Sequence, residues 1–147
     1  MSLVMPLLVR RLRNDLQELE DDFGLSAEPI PDNIMLPLCI PLHVSNVPAY
    51  SGPDVAVNDH SFSLIIGEDY PYERPKVKWS SPIFHPNIMA PSEGGVVCVM
   101  DMDHWSADST LSTLVRSLID LLKHPNPHDP LRSSTCEEAA EWFLNKM

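Results

Sequence analysis

Cys98 follows Gly94-Gly95-Val96-Val97, with His85-Pro86-Asn87 before it and Trp105-Ser106 after it. A thiolate can exchange with an activated thioester, and the acyl-enzyme that results stays energetic enough for an amine to attack. Taken alone, a cysteine behind two valines is more often a small buried hydrophobe. Gly94 and Gly95 weaken that reading, because they permit a close approach of backbone or of an incoming peptide tail. Cys39 and Cys136 have no comparable setting and read as structural or incidental. An unrelated cysteine hydrolase would need a convincing general base beside Cys98. On residue type alone, Asn87 caps a turn, Asp129 is a turn residue in a proline-rich loop, and Tyr72 is a core aromatic or an interface anchor.

Several elements must position these groups. Leu8, Leu12, Leu16, Leu19 and Phe23 recur three or four apart, which predicts an amphipathic helix over 6–23 with Gly24 as its stop. Residues 34–44 are rich in strand formers but carry Pro37 and Pro41, whose even spacing turns both missing N–H groups to one side, so this is an edge strand. Residues 61–66 and 76–79 read as further strands, and a short first strand near 27–30 completes a four-stranded antiparallel sheet. Residues 111–122 are helical by pattern, Pro125, Pro127 and Pro130 prevent continuation, and a short helix follows over 137–146. The fold class is α+β.

A chain of 147 residues fits one domain, taken here as 1–147. Its 15 prolines imply many fixed turns. A formal charge of -11 argues against nucleic acid as the main partner, since that affinity comes from neutralised phosphates. Positive charge gathers at Arg10, Arg11 and Arg13, while Glu18, Glu20, Asp21 and Asp22 follow; the polarity can steer a protein partner or simply be a solvated helix face. Three cysteines form no close metal-like pair and suit no complete disulfide framework, which points to a reducing compartment. The apolar opening is too short to span a bilayer and lacks the positive leader of a secretory signal. The expectation is a cytoplasmic protein with no metal and no membrane partner.

The order of these pieces resembles the ubiquitin-conjugating (E2) family and its UBC-like fold. The match is carried by Tyr70-Pro71-Tyr72 with Pro75, His85-Pro86-Asn87, Cys98, Trp105-Ser106 and Pro125-Asn126-Pro127-His128-Asp129-Pro130-Leu131, and it covers roughly residues 6 to 140. The resemblance implies that Cys98 receives ubiquitin or a ubiquitin-like modifier from an activating enzyme (E1) and passes it to a substrate lysine with a ligase (E3). It implies that Asn87 supports the tetrahedral intermediate or the loop around it, as amide chemistry allows. Asp129 takes the acidic position at the gate where the acceptor lysine enters, orienting the amine. By the same resemblance His85 fixes the turn, Trp105 braces the ligase-facing loop, Arg10, Arg11 and Arg13 face the activating enzyme, and Tyr72, Ser106 and Ala107 face a RING-type ligase. ATP belongs to the activating enzyme, and no cofactor is implied for this chain.

Departures from the pattern are informative. Extra residues at 89–93 lengthen the interval from His85 to Cys98, Arg74 replaces the first of a usual proline pair, and Ala107-Asp108 replaces a usual proline-alanine. The C-terminal region is short for the family, and the brief Cys-to-Trp interval holds Asp101 and Asp103. The alternative is an E2-like scaffold that binds a modifier without transferring it; Cys98 favours the enzyme. We expect Cys98 in a shallow, accessible groove beside Asn87.

Overall fold

The computed structural model describes residues 3–98 and 104–146. Helix α1 (Met5–Phe23) opens with proline in its first turn, where a missing N–H costs nothing. It buries Leu8, Val9, Leu12 and Leu19 on the stripe set by its apolar spacing. Gly24 ends it at φ 69°, a left-handed conformation in which its N–H reaches the carbonyl of Glu20 at 2.9 Å.

Strands β1 (Leu38–Val44), β2 (Ala49–Gly52), β3 (Val55–Val57), β4 (His60–Ile66) and β5 (Lys76–Trp79) follow. They form an antiparallel sheet in the order β1-β4-β5 and a separate β2-β3 hairpin. In β4 the inward residues His60, Phe62, Leu64 and Ile66 alternate with half-buried Ser61, Ser63 and Ile65. Helices α2 (Leu111–Lys123) and α3 (Ser134–Lys146) complete the elements. Thr110 opens α2 with a capping box, its hydroxyl accepting from the N–H of Thr113 at 3.3 Å. One contiguous core joins α1, the inner sheet face and Leu111, Leu114, Val115, Leu118 and Leu122 of α2. At the other end, Tyr50 of β2 meets Trp142 of α3 edge to face at 4.9 Å.

The α+β class stands, with changes in detail. Pro41 lies in β1, which is an edge strand as the sequence demands, but the strand starts at Leu38, after Pro37. Residues 27–30 form no strand. Pro29 and Pro31 supply no ladder donors there, and the Ile30 carbonyl is taken by the Arg13 guanidinium at 3.0 and 2.6 Å. The last helix begins at Ser134, earlier than the apolar pattern suggests, because Ser133 caps it by accepting from the N–H of Cys136 at 3.2 Å.

Candidate active site

The turn that carries Asn87 is built on a buried histidine. His85 Nε2 donates to the carbonyl of Leu121 at 2.8 Å, and its Nδ1 accepts from the N–H of Asn87 at 3.0 Å. Both bonds require the neutral imidazole with its proton on Nε2. Burial pushes the pKa of His85 down to about 4, so the ring holds the turn and carries no proton traffic at neutral pH.

Asn87 is buried, and its amide is fully engaged. Nδ2 donates to the carbonyls of Asn126 and Asp129, each at 3.1 Å, and Oδ1 accepts from the N–H of Asn126 at 2.8 Å. The N–H of Leu131 adds a bond to the Pro86 carbonyl at 2.9 Å. The proline-rich segment is therefore fastened to the His-Pro-Asn turn. Of the two roles open to Asn87 in the sequence, this geometry fits support of the loop, since both amide hydrogens are already donated.

The Asn87 carbonyl in turn accepts from the N–H of Cys98 at 3.0 Å. Cys98 is half-buried, in contrast to Cys136, which is buried, and Cys39, which is exposed on the sheet edge. One chain of hydrogen bonds thus runs from Cys98 through Asn87 to the main chain of Asp129, whose residue is solvent-exposed. Residues 95–98 are held on their other side by β5, through the N–H of Trp79 donating to Gly95 at 2.8 Å. Gly95 has φ +64°, and a Cβ on it would lie 2.6 Å from the Trp79 carbonyl oxygen. The close approach that the glycine pair allows is made, at Gly95, by this chain's own backbone.

The arginines have different destinations. Arg11 is turned inward: Nε meets the Asp15 carboxylate at 3.0 Å, one terminal nitrogen donates to the carbonyl of Ala107 at 2.9 Å, and the other to that of Ser109. Arg13 holds Ile30 and also pairs with Asp32 at 3.0 Å. Arg10 alone of the three is exposed with no ion pair among the described residues. Of the three arginines that the resemblance turns toward the activating enzyme, Arg10 and Arg13 are exposed, while Arg11 is largely committed to this chain's own groups. The reason is tertiary: the carbonyls of Ala107 and Ser109, on a distant loop, outcompete solvent for the Arg11 guanidinium.

Tyr70 and Asp15, missed in the sequence as a pair, are buried together, with the Tyr70 hydroxyl donating to the Asp15 carboxylate. Burial raises the pKa of Asp15, against the lowering effects of Tyr70 and Arg11, and burial also raises that of Tyr70. The available signal was Asp15 itself, a carboxylate on the apolar stripe of α1 between Leu12 and Leu19. Trp105 Nε1 donates to the Pro71 carbonyl at 2.7 Å, which braces the 105–109 loop against the loop bearing Tyr72. Tyr72 is 41% exposed, Ser106 is exposed and Ala107 half-buried. Asp101 and Asp103 lie outside the described residues.

The extra residues at 89–93 contain a 3-10 turn, Pro91–Glu93, and Glu93 accepts from the N–H of Thr135 at 3.2 Å. That hydrogen bond is the main cause of a pKa for Glu93 below the ordinary carboxylate value.

Comparison with known proteins agrees with this architecture. Residues 11–142 match the family model for ubiquitin-conjugating enzyme. Ubiquitin-conjugating enzyme E2 2 of Candida glabrata is 32% identical over 126 residues, spanning 82% of this chain and 69% of that protein. Among solved structures, S. cerevisiae Ubc12 is similar with a TM-score of 0.72 at 28% identity, covering 99% of this chain and 73% of that one. The E2 domain of a Toxoplasma gondii ubiquitin conjugating enzyme gives 0.68 at 26% identity, covering 92% and 86%. The chain belongs to the ubiquitin-conjugating enzyme family: it has the UBC fold and is a transferase of the E2 class. No helix among the described residues is long and apolar enough to cross a membrane.

Proposed function

We propose that this protein accepts the C-terminal carboxyl of ubiquitin or a ubiquitin-like modifier as a thioester on Cys98 and transfers it to a substrate lysine. The observation that carries the reading is the hydrogen-bonded frame from Cys98 through Asn87 to Asp129, around a thiol that is half-buried and not sealed in the core. In charging, the Cys98 thiolate attacks the modifier thioester on the activating enzyme, a new C–S bond forms, and the activating enzyme's thiolate leaves with its electron pair. In transfer, a lysine amine attacks the same carbonyl carbon, the C–N bond forms, the C–S bond breaks to release the Cys98 thiolate, and the amine's proton passes to solvent. Asp129 orients that amine at the entrance, and Asn87 keeps the entrance in place. ATP is consumed by the activating enzyme, and this chain uses no cofactor of its own. Arg10 and Arg13, exposed on α1, and the half-buried Arg11 between them meet the activating enzyme. Tyr72, Ser106 and Ala107 meet a RING-type ligase across the two loops joined by Trp105 and Pro71. The working compartment is the cytoplasm.

The test is reconstitution with candidate modifiers, activating enzyme and ATP, read by intact mass with and without thiol. We expect one thiol-sensitive adduct, absent from Cys98→Ala and retained in Cys39→Ser. Cys98→Ser should hold a slower-reacting oxyester, because an alkoxide is a poorer leaving group than a thiolate. The same thiol-sensitive adduct on Cys98→Ala would exclude Cys98 as the carrier.

A further inference from the structure

Residues 89–95 close the short hairpin that carries Cys98. Its two arms are joined by the N–H of Cys98 donating to Asn87 at 3.0 Å and the N–H of Met89 donating to Val96 at 2.8 Å. Its closed end is itself ordered by bonds from Glu93 and Gly95 to the Ala90 carbonyl, at 2.9 and 3.1 Å. From that end the Glu93 carboxylate reaches the first turn of α3 and accepts from Thr135, while Ser133 accepts from Cys136. The orphan donors of this helix are thus shared between its own N-cap serine and a carboxylate from the hairpin. A negative group here also complements the positive end of the helix.

The placement matters because α3 follows directly on the proline-rich segment. Asn87 ties that segment down at residues 126 and 129, and Leu131 bonds to Pro86. Glu93 adds a tether just past its far end, from the same hairpin. Asn87 and Pro86 hold the segment at residues 126, 129 and 131, and Glu93 adds a point at Thr135, so the stretch that carries the exposed Asp129 and runs into α3 is fastened to the Cys98 hairpin at both ends.

We propose that Glu93 is a positioning residue for the transfer step, locking the lysine entrance to the hairpin that carries the thioester. This rests on the reading of Cys98 as the carrier. A plain helix cap would change stability and leave the chemistry of transfer alone; a positioning tether affects transfer more than charging. Glutamine keeps an acceptor oxygen for Thr135, so it restores the tether, whereas alanine removes it.

The experiment compares wild type, Glu93→Ala and Glu93→Gln in charging, in single-turnover discharge to free lysine over a range of concentrations, and in hydrogen exchange. We expect Glu93→Ala to charge within about twofold of wild type and to discharge about tenfold more slowly at saturating lysine, the size expected of a modest misplacement. Glu93→Gln should return to within about twofold. The amides of Asn126 and Leu131 should exchange faster in Glu93→Ala only. Wild-type discharge in Glu93→Ala overturns the inference, as does a parallel fall of charging, discharge and melting temperature that glutamine does not rescue. If wild type forms no adduct, the carrier reading fails by itself; exchange then decides the tether, and equal rates in all three proteins refute it.

Discussion

Every hydrogen-bonding group of the Asn87 amide faces main chain across the turn, so its removal has consequences in two places. Asn87→Ala leaves the carbonyls of residues 126 and 129 and one N–H without their partner, which should cost about 1–3 kcal/mol in urea unfolding and slow discharge more than charging. Asn87→Asp is the sharper test. It replaces the donor nitrogen by a second acceptor facing two carbonyl oxygens, so it should be worse than alanine. An aspartate variant as stable and as active as wild type would show that the loop is held some other way. His85 beneath it acts through its tautomer, giving one proton to Leu121 and presenting a lone pair to Asn87.

At the level of elements, two devices fix the loops to the framework. Gly95 lets the Cys98 hairpin lie against β5, and Gly95→Ala must either leave φ +64° or drive a Cβ into the Trp79 carbonyl. We expect a loss of at least about 2 kcal/mol and faster alkylation of Cys98 by iodoacetamide in the native protein. Unchanged stability and alkylation would mean that the approach relaxes without consequence. The second device is Arg11, which joins α1 to the loop at 106–109 and neutralises buried Asp15. Arg11→Ala strands that carboxylate and should cost about 2–4 kcal/mol, with accelerated exchange at the Ser109 amide. Arg11→Lys keeps charge but cannot reach three acceptors in the geometry of a planar fork, so it should rescue stability in part while the loop stays loose. Loop exchange at the wild-type rate in both variants would remove this role from Arg11.

The whole molecule inherits a pH dependence from its buried imidazoles. Burial holds the pKa of His60 below its ordinary value and that of His85 near 4. A depressed histidine means that the unfolded chain binds more protons than the native one, so stability is full above the unfolded value of 6.5 and falls as pH drops toward the folded value. For His85 alone the loss by pH 4 is about 3 kcal/mol. Asp15, raised by burial, runs the other way: the native state keeps its proton at pH values where the unfolded chain has released it, which offsets part of the loss near pH 4. Urea midpoints at pH 7.5, 5.5 and 4.5 should fall in order, and His85→Gln should flatten the series; a flat wild-type series would contradict the neutral, buried imidazole. By itself the sequence determined the helix of Leu8, Leu12 and Leu19, the edge position of the proline-bearing strand, and the order of motifs by which the chain resembles ubiquitin-conjugating enzymes. These are local matters, set by side-chain periodicity, by the missing N–H of proline and by residue type. Only the tertiary structure decided that Arg11 turns inward, that Arg13 reaches Ile30 and Asp32, that residues 27–30 stay out of the sheet, that Gly95 serves Trp79, and that Glu93 caps α3. Each of these is a hydrogen bond or close contact between groups far apart in the chain, and which donor meets which acceptor depends on how the elements are stacked, a relation no local spacing encodes.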